Sequence, residues 1–288
     1  MEKILFIVNP ISGGKKKDRI VALAKEIFPD AGIAYTERAG HATEIARATD
    51  AGLVVAVGGD GTVNEVARGL VDSDKAFSIV PCGSGDGLAL HLGLSRNHRK
   101  ALLSIRDGRR EKMDYGVVNG RPFFCTTGVG FDALIGYEFA HAKRRGLITY
   151  VSKSVKNWFG YKPDTYKVTV DGNSWSGPAV LITVGNADQW GNNARICGGS
   201  SVQDGSFFIT IVKPFRTPGF IPLLFRLMTG KVEGARKTVI MHGAHVQIER
   251  GKEGPAHYDG EPFIEGTSLD VQMHAAALNV VVPRKSRI

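Results

Sequence analysis

The residues best suited to chemistry are a few carboxylates set among glycines. Asp60 lies inside Gly58-Gly59-Asp60-Gly61-Thr62, directly after the apolar, β-branched run Val54-Val55-Ala56-Val57. A buried strand that breaks into glycines and then opens a helix makes a phosphate site, because the backbone can approach an anion and the first helical N–H groups lack partners. An acid in such a loop fits a divalent cation held against the phosphate, or a group that takes a proton from an attacking hydroxyl. Helix N-capping is the plainer alternative for Asp60. A second junction of this kind runs from Phe77-Ser78-Ile79-Val80 into Cys82-Gly83-Ser84-Gly85-Asp86-Gly87, and a third from Ile4-Leu5-Phe6-Ile7-Val8 into Asn9-Pro10-Ile11-Ser12-Gly13-Gly14. Three such junctions predict ligand binding at the carboxyl ends of parallel strands. None matches the G-x-x-x-x-G-K-[ST] phosphate loop or the dinucleotide fingerprint G-x-G-x-x-G.

Later acids form separate candidates. Asp259-Gly260-Glu261 reads as a tight turn between strands; Asp-Gly alone would make the turn, and Glu261 with Asp259 adds oxygen ligands suited to Mg²⁺ or a base beside a transferred phosphate. Asp132 follows Gly128-Val129-Gly130-Phe131 ahead of a helical stretch, where N-capping is again the plain alternative. Asp204-Gly205 precedes the strand Phe207-Phe208-Ile209 and reads equally as a hairpin turn.

Taken in order, Asn9-Pro10 with Ser12-Gly13-Gly14, the Gly58–Thr62 loop continued by Asn64-Glu65-Val66 and Gly69-Leu70, Pro81 with Gly83-Ser84-Gly85, and Asp259-Gly260-Glu261 resemble the diacylglycerol kinase catalytic family. That family includes bacterial lipid kinases and sphingosine kinases, and it shares its glycine-aspartate loop with NAD kinases. The resemblance implies ATP as co-substrate, Mg²⁺, and a lipid hydroxyl as acceptor, of diacylglycerol or of a long-chain sphingoid base. It implies nucleotide binding by Asn9, Ser12, Gly13, Gly58, Gly59, Gly61, Thr62, Gly83 and Ser84, and substrate binding by Asp132. It implies Asp60 as base if the chain follows sphingosine kinases, and Asp259 with Glu261 if it follows bacterial diacylglycerol kinases. Asp204 resembles a position that holds a structural divalent ion in some bacterial relatives. One departure stands out: Asp86, a further candidate for substrate binding, replaces the usual amide of the second loop, and an ionised carboxylate only accepts hydrogen bonds.

Helical spacing at Ile20, Leu23, Ala24 and Ile27, at Ala42, Ile45 and Ala46, and at Val63, Val66, Ala67 and Leu70, with strands between, predicts an α/β, doubly wound parallel-sheet nucleotide-binding domain over residues 1–115. Past Asp114 short β-rich segments follow one another: 115–118, 123–127, 166–170, 179–184, 207–212, 238–241, 245–248, 269–273 and 278–282. With turns at Asn119-Gly120, Asp171-Gly172 and Asp204-Gly205 they predict an antiparallel β-sandwich lipid-substrate domain over 116–288. The apolar stretch Phe220–Met228 reads either as a helix packed on the sandwich or as a lip touching a bilayer, with Arg216, Arg226 and Lys231 at headgroups.

The 288 residues carry a formal net charge of +9, which points to an acidic partner: an anionic membrane surface or a phosphorylated small molecule. Basic clusters at Lys15-Lys16-Lys17, at Arg109-Arg110, and at Lys143-Arg144-Arg145 with Lys153 and Lys156 come without any nucleic-acid-binding signature, so nucleic acid is not expected as a partner; each cluster alone reads as a solvated face. Cys82, Cys125 and Cys197 are too scattered for zinc or a disulfide framework. With no signal peptide and no apolar run of spanning length, the expected location is cytoplasmic, peripheral at the inner membrane surface. A homodimer stays open as a partner, as does phosphorylation of a soluble acceptor in the manner of NAD kinases.

Overall fold

The computed structural model describes residues 2–11, 17–140, 157–158, 160–216, 219–286 and 288, the side chains of 139, 140 and 220 excepted. Ser12 and Gly13, and the basic residues Lys15, Lys16, Lys143, Arg144, Arg145, Lys153 and Lys156, lie outside the described residues. The chain forms two compact units, residues 1–115 with 275–288, and residues 116–274. The sequence carries the second domain to residue 288, whereas the final segment clusters with the first unit because its strand joins that unit's sheet.

In unit 1, β1 (Ile4–Val8), β2 (Gly32–Tyr35), β3 (Leu53–Gly58) and β4 (Ala76–Pro81) lie in the order β2-β1-β3-β4, all parallel. Residues Asn279 and Val280 extend this sheet in parallel beyond β4, and the Ser78 hydroxyl donates to the Val281 carbonyl. β3 and β4 are buried along their whole length, as expected for strands covered on both faces. The strand order reverses between β1 and β3. Helices α1 (Lys17–Ile27), α2 (His41–Ala48), α3 (Asp60–Leu70), α4 (Gly87–His91) and α5 (His98–Arg106) alternate with these strands. α1 packs with α5 and α2 with α3, and right-handed crossovers in that strand order put the two pairs on opposite faces. The α2–α3 contact is unusually close: a Cβ at Gly69 would lie 2.6 Å from the Thr43 carbonyl oxygen. Glu65 completes the joint, its carboxylate accepting from the Gly40 and Ala42 amides at 2.8 and 3.2 Å and so capping α2, whose own N-cap, Gly40, has no side chain.

Unit 2 is a sandwich. One sheet runs β12-β11-β10-β7-β14-β15, antiparallel throughout: Thr238–Gly243, Phe207–Val212, Leu181–Gly185, Thr126–Gly130, Gly254–Tyr258 and Glu261–Glu265. The other pairs the start of β16 (Ser268–Val282) with β13 (His245–Arg250), β8 (Asp164–Val170) and β9 (Asn173–Ala179), again antiparallel. Along β11, Phe207, Ile209 and Ile211 face the core between the sheets while Phe208 and Val212 join a second core on the outer face. Against that outer face lie α6 (Phe131–Ala140) and α7 (Phe220–Thr229). Two expectations are corrected. Residues 123–127 form not one strand but the ends of β6 (Arg121–Phe123) and β7, interrupted at 124–125; and 269–273 and 278–282 belong to one strand, bent at Ala276, where φ is +51°.

The α2–α3 joint yields a test. Gly69→Ala raises helix propensity by about 1 kcal/mol, yet the added methyl meets backbone; the expected outcome is a net loss of roughly 1–3 kcal/mol in urea unfolding.

Candidate phosphate and acceptor sites

In unit 1 the reversal between β1 and β3 puts Asn9 beside the Gly58 loop, at the crevice where open α/β sheets take ligands. The Asn9 amide N–H donates to the Val57 carbonyl at 3.2 Å, and its side-chain Nδ2 donates to the Thr62 hydroxyl at 3.0 Å. Gly58 is obligatory beneath this clasp, since a Cβ there would stand 2.4 Å from the Thr62 Cβ. The next residue meets the second loop: a Cβ on Gly83 would lie 2.6 Å from the Gly59 Cα, so two glycine backbones pass in contact.

Asp60 secures that contact. Its Oδ2 accepts from the Asp86 amide at 3.0 Å and its Oδ1 from the Gly87 amide at 2.8 Å, so the carboxylate of the first loop holds the second. Burial raises its pKa above the ordinary carboxylate range, opposed by those amides. Asp86, whose side chain is 2% exposed, adopts a left-handed backbone (φ +52°), accepts from the Gly83 amide at 2.8 Å and pairs with Arg96 at 3.3 Å. Its pKa is also raised, by burial first and then by Asp60. The acid that stands for the usual amide therefore meets only donors, and Arg96, which also donates to the Gly85 carbonyl, supplies the charge that the acid requires. Ser84 is exposed at the loop tip, and Gly61 is the second residue of α3.

Lys17, read from sequence as one of a solvated basic triplet, is 6% exposed and its Nζ has no hydrogen-bond partner among the described residues. Burial lowers its pKa below the usual lysine range, with Cys82 pulling the other way, which places the ammonium within electrostatic reach of the residue before Gly83. A buried cation with no hydrogen-bond partner among the described residues, next to the start of the second glycine loop, suits an anion site.

In unit 2, Thr183 on β10, Gly128 on β7 and His257 on β14 share one cross-strand row. Both side chains reach Asp132 at the start of α6: His257 Nε2 lies 3.2 Å and the Thr183 hydroxyl 3.4 Å from Oδ2. Gly128 leaves room for the ring, a Cβ there coming within 3.2 Å of Nε2. The carboxylate only accepts, so Nε2 carries the proton. Asp132 Oδ1 and His257 Nδ1 are buried and have no hydrogen-bond partner among the described residues. His257 was missed from sequence because a single histidine in a strand carries no signal.

Asp259 is turned onto its own unit. It accepts from the amides of Phe124 (2.8 Å), Cys125 (2.8 Å) and Thr126 (3.0 Å), which is what interrupts the strand at 124–125. With Gly260 it forms the two-residue turn of the β14–β15 hairpin, both at positive φ. Glu261, next in the chain, is exposed. Asp204 is exposed and accepts from the Ser206 amide at 3.0 Å, as in a turn. Among the described residues no group of three or more His, Cys, Asp or Glu side chains is arranged to hold a metal ion.

Residues 3–118 match the family model of the diacylglycerol kinase catalytic domain, and residues 125–282 match that of the YegS C-terminal NAD kinase beta sandwich-like domain. The chain belongs to the diacylglycerol kinase catalytic family. This makes it a kinase, an enzyme that transfers phosphate to a hydroxyl. It is 25% identical to a diacylglycerol kinase of Bacillus subtilis (strain 168) over 99% of this chain and 98% of that protein. It is 28% identical to the probable lipid kinase YegS-like of Enterobacter sp. (strain 638), covering 80% and 78%. The crystal structure of a diacylglycerol kinase from Bacillus anthracis str. Sterne shares the fold, with a TM-score of 0.75 at 21% identity over 98% of this chain and 97% of that one. In this family member no helix among the described residues is long and apolar enough to cross a membrane.

The second loop is open to a double-mutant cycle. Arg96→Ala strands the buried Asp86 carboxylate and is expected to lower stability by about 1–3 kcal/mol. In an Asp86→Asn background, where the charge that pairs with Arg96 is gone, the same substitution is expected to cost well under half as much in thermal or urea unfolding.

Proposed function

We propose that this kinase transfers the γ-phosphate of ATP to the hydroxyl of a lipid, diacylglycerol or a long-chain sphingoid base, with unit 1 taking the triphosphate and unit 2 the acceptor. The observation that carries the reading is the buried Lys17 ammonium, which has no hydrogen-bond partner among the described residues and lies within electrostatic reach of Cys82 at the start of the second glycine loop. Asn9, Thr62 and the amides around Gly58, Gly59 and Gly61 supply neutral donors for phosphate oxygens, and Lys17 supplies the charge that matches them. Asp60 and Asp86 serve this site by fixing its loops, since their oxygens are taken up by amides and Arg96.

The acceptor hydroxyl donates to Asp132 Oδ1, the free oxygen of a carboxylate that His257 and Thr183 hold in place. As its oxygen bonds to the γ-phosphorus and the bond to the ADP oxygen breaks, the proton passes to a carboxylate, for which Asp132 is better disposed than Asp259, whose oxygens grip three amides. Glu261, the motif carboxylate left exposed, would be the residue to hold a Mg²⁺ ion, which would supply charge neutralisation for the phosphates. Positioning matters more than basicity in such a transfer.

The reading is tested by phosphate transfer from radiolabelled ATP to a panel of diacylglycerols and long-chain bases in mixed micelles. Turnover on one class is expected, and transfer to none would sink the proposal. On the active lipid, Asp132→Asn is expected to lower kcat/KM roughly 30- to 100-fold, the equivalent of losing about 2–3 kcal/mol of a charged hydrogen bond.

Lys17 gives a pH prediction. Its lowered pKa means that the charged form costs stability in the free protein below that pKa, and that a bound phosphate favours protonation. ATP affinity measured by calorimetry is therefore expected to fall as pH rises, and to do so below the ordinary lysine range. Lys17→Arg, which stays charged, should flatten that fall, and Lys17→Met should weaken binding at every pH.

A further inference from the structure

We propose that α7 is a docking element that lays unit 2 on an anionic lipid surface. The helix is well terminated: Gly230 closes it in a left-handed conformation (φ +69°), its amide bonding back to the Leu227 carbonyl. Its inner face is satisfied, Leu223 and Leu227 packing on the outer core with Phe131, Phe208 and Val212. Its outer face is apolar as well. Ile221, Leu224, Phe225 and Met228 recur at i, i+3, i+4 and i+7 and remain 74, 47, 69 and 51% exposed. A helix apolar on both faces belongs between two apolar phases, and the sandwich supplies only one.

The charge around the helix identifies the other. From 213 to 237 the chain carries Lys213, Arg216, Arg226, Lys231, Arg236 and Lys237 against the single acid Glu233. Of these, Arg216, Lys231, Arg236 and Lys237 are exposed. Bulky aliphatic and aromatic side chains rimmed by cations match the acyl boundary and headgroups of an anionic bilayer, each basic residue adding attraction that salt screens. At 10 residues the helix is about 15 Å long, half of a hydrocarbon core, so it lies in the surface rather than crossing it. The proposal deepens the lipid-kinase reading and rests on it for the purpose of docking, although docking itself is observable without turnover.

The test is flotation of the full chain with vesicles of phosphatidylcholine alone or mixed with phosphatidylglycerol. Each variant is also assayed for transfer to a short-chain acceptor dispersed in detergent. The expected result is partition onto the anionic vesicles that high salt weakens, reduced at least tenfold by Ile221→Ser with Phe225→Ser and likewise by Lys231→Glu with Lys237→Glu. All variants should keep wild-type melting temperatures and wild-type turnover on the dispersed acceptor. The proposal is overturned if the unaltered chain ignores anionic vesicles, or if the apolar variant floats as well as it does. It is also overturned if light scattering shows a dimer that Phe225→Ser dissociates, since a second copy would then cover the face. Partition that depends on α7 in a chain that phosphorylates no lipid would uphold docking and remove the kinase substrate reading; lipid turnover with α7-independent partition would do the reverse.

Discussion

The contact between the backbones of Gly59 and Gly83 is the constraint on which unit 1 depends. Any Cβ at 83 would collide with the Gly59 Cα, so only glycine lets the loops after β3 and β4 meet. Once they meet, the Asp60 carboxylate comes into register with the amides of Asp86 and Gly87, and Asp86 folds back on Gly83. A charged acceptor bonded to several amides is a strong and directional tie, stronger still where water is excluded. The loops are thereby fixed before any ligand arrives, which is the preorganisation that phosphoryl transfer requires.

The same device recurs. Glu65 caps α2 through two amides, and Asp259 holds three at the junction of β6 and β7. The acids of the sequence motifs are in large part clamps on backbone. Among the buried polar atoms without a partner in the described residues are the Lys17 ammonium in unit 1 and, in unit 2, Asp132 Oδ1 and His257 Nδ1. Buried polar groups are normally satisfied, so such exceptions are where a ligand has the most to offer.

Much of the architecture was legible in the sequence. Continuous apolar runs ending in glycine announced the parallel strands and the junctions that carry the motifs, and alternation with Asn-Gly and Asp-Gly turns announced the sandwich. The orientation of a carboxylate was not legible, because it depends on partners remote in the chain; Asp259 is 133 to 135 residues from the amides that it binds. That grip also splits a run that reads as one strand. Lys17 was hidden for a related reason: its neighbours in sequence are basic, and nothing local marks this one of the three as buried. Asp86 looked like an anomaly until Arg96, ten residues on, supplied its counter-charge.

The sheet of unit 1 is completed by residues 279–280, which pair with β4, and by the Val281 carbonyl, which receives the Ser78 hydroxyl. On the ribosome, where the amino-terminal end emerges first, this strand appears only after every residue of unit 2 has left the tunnel. Unit 1 must then wait with an open sheet edge while unit 2 is already free to fold, so maturation runs against the order of synthesis.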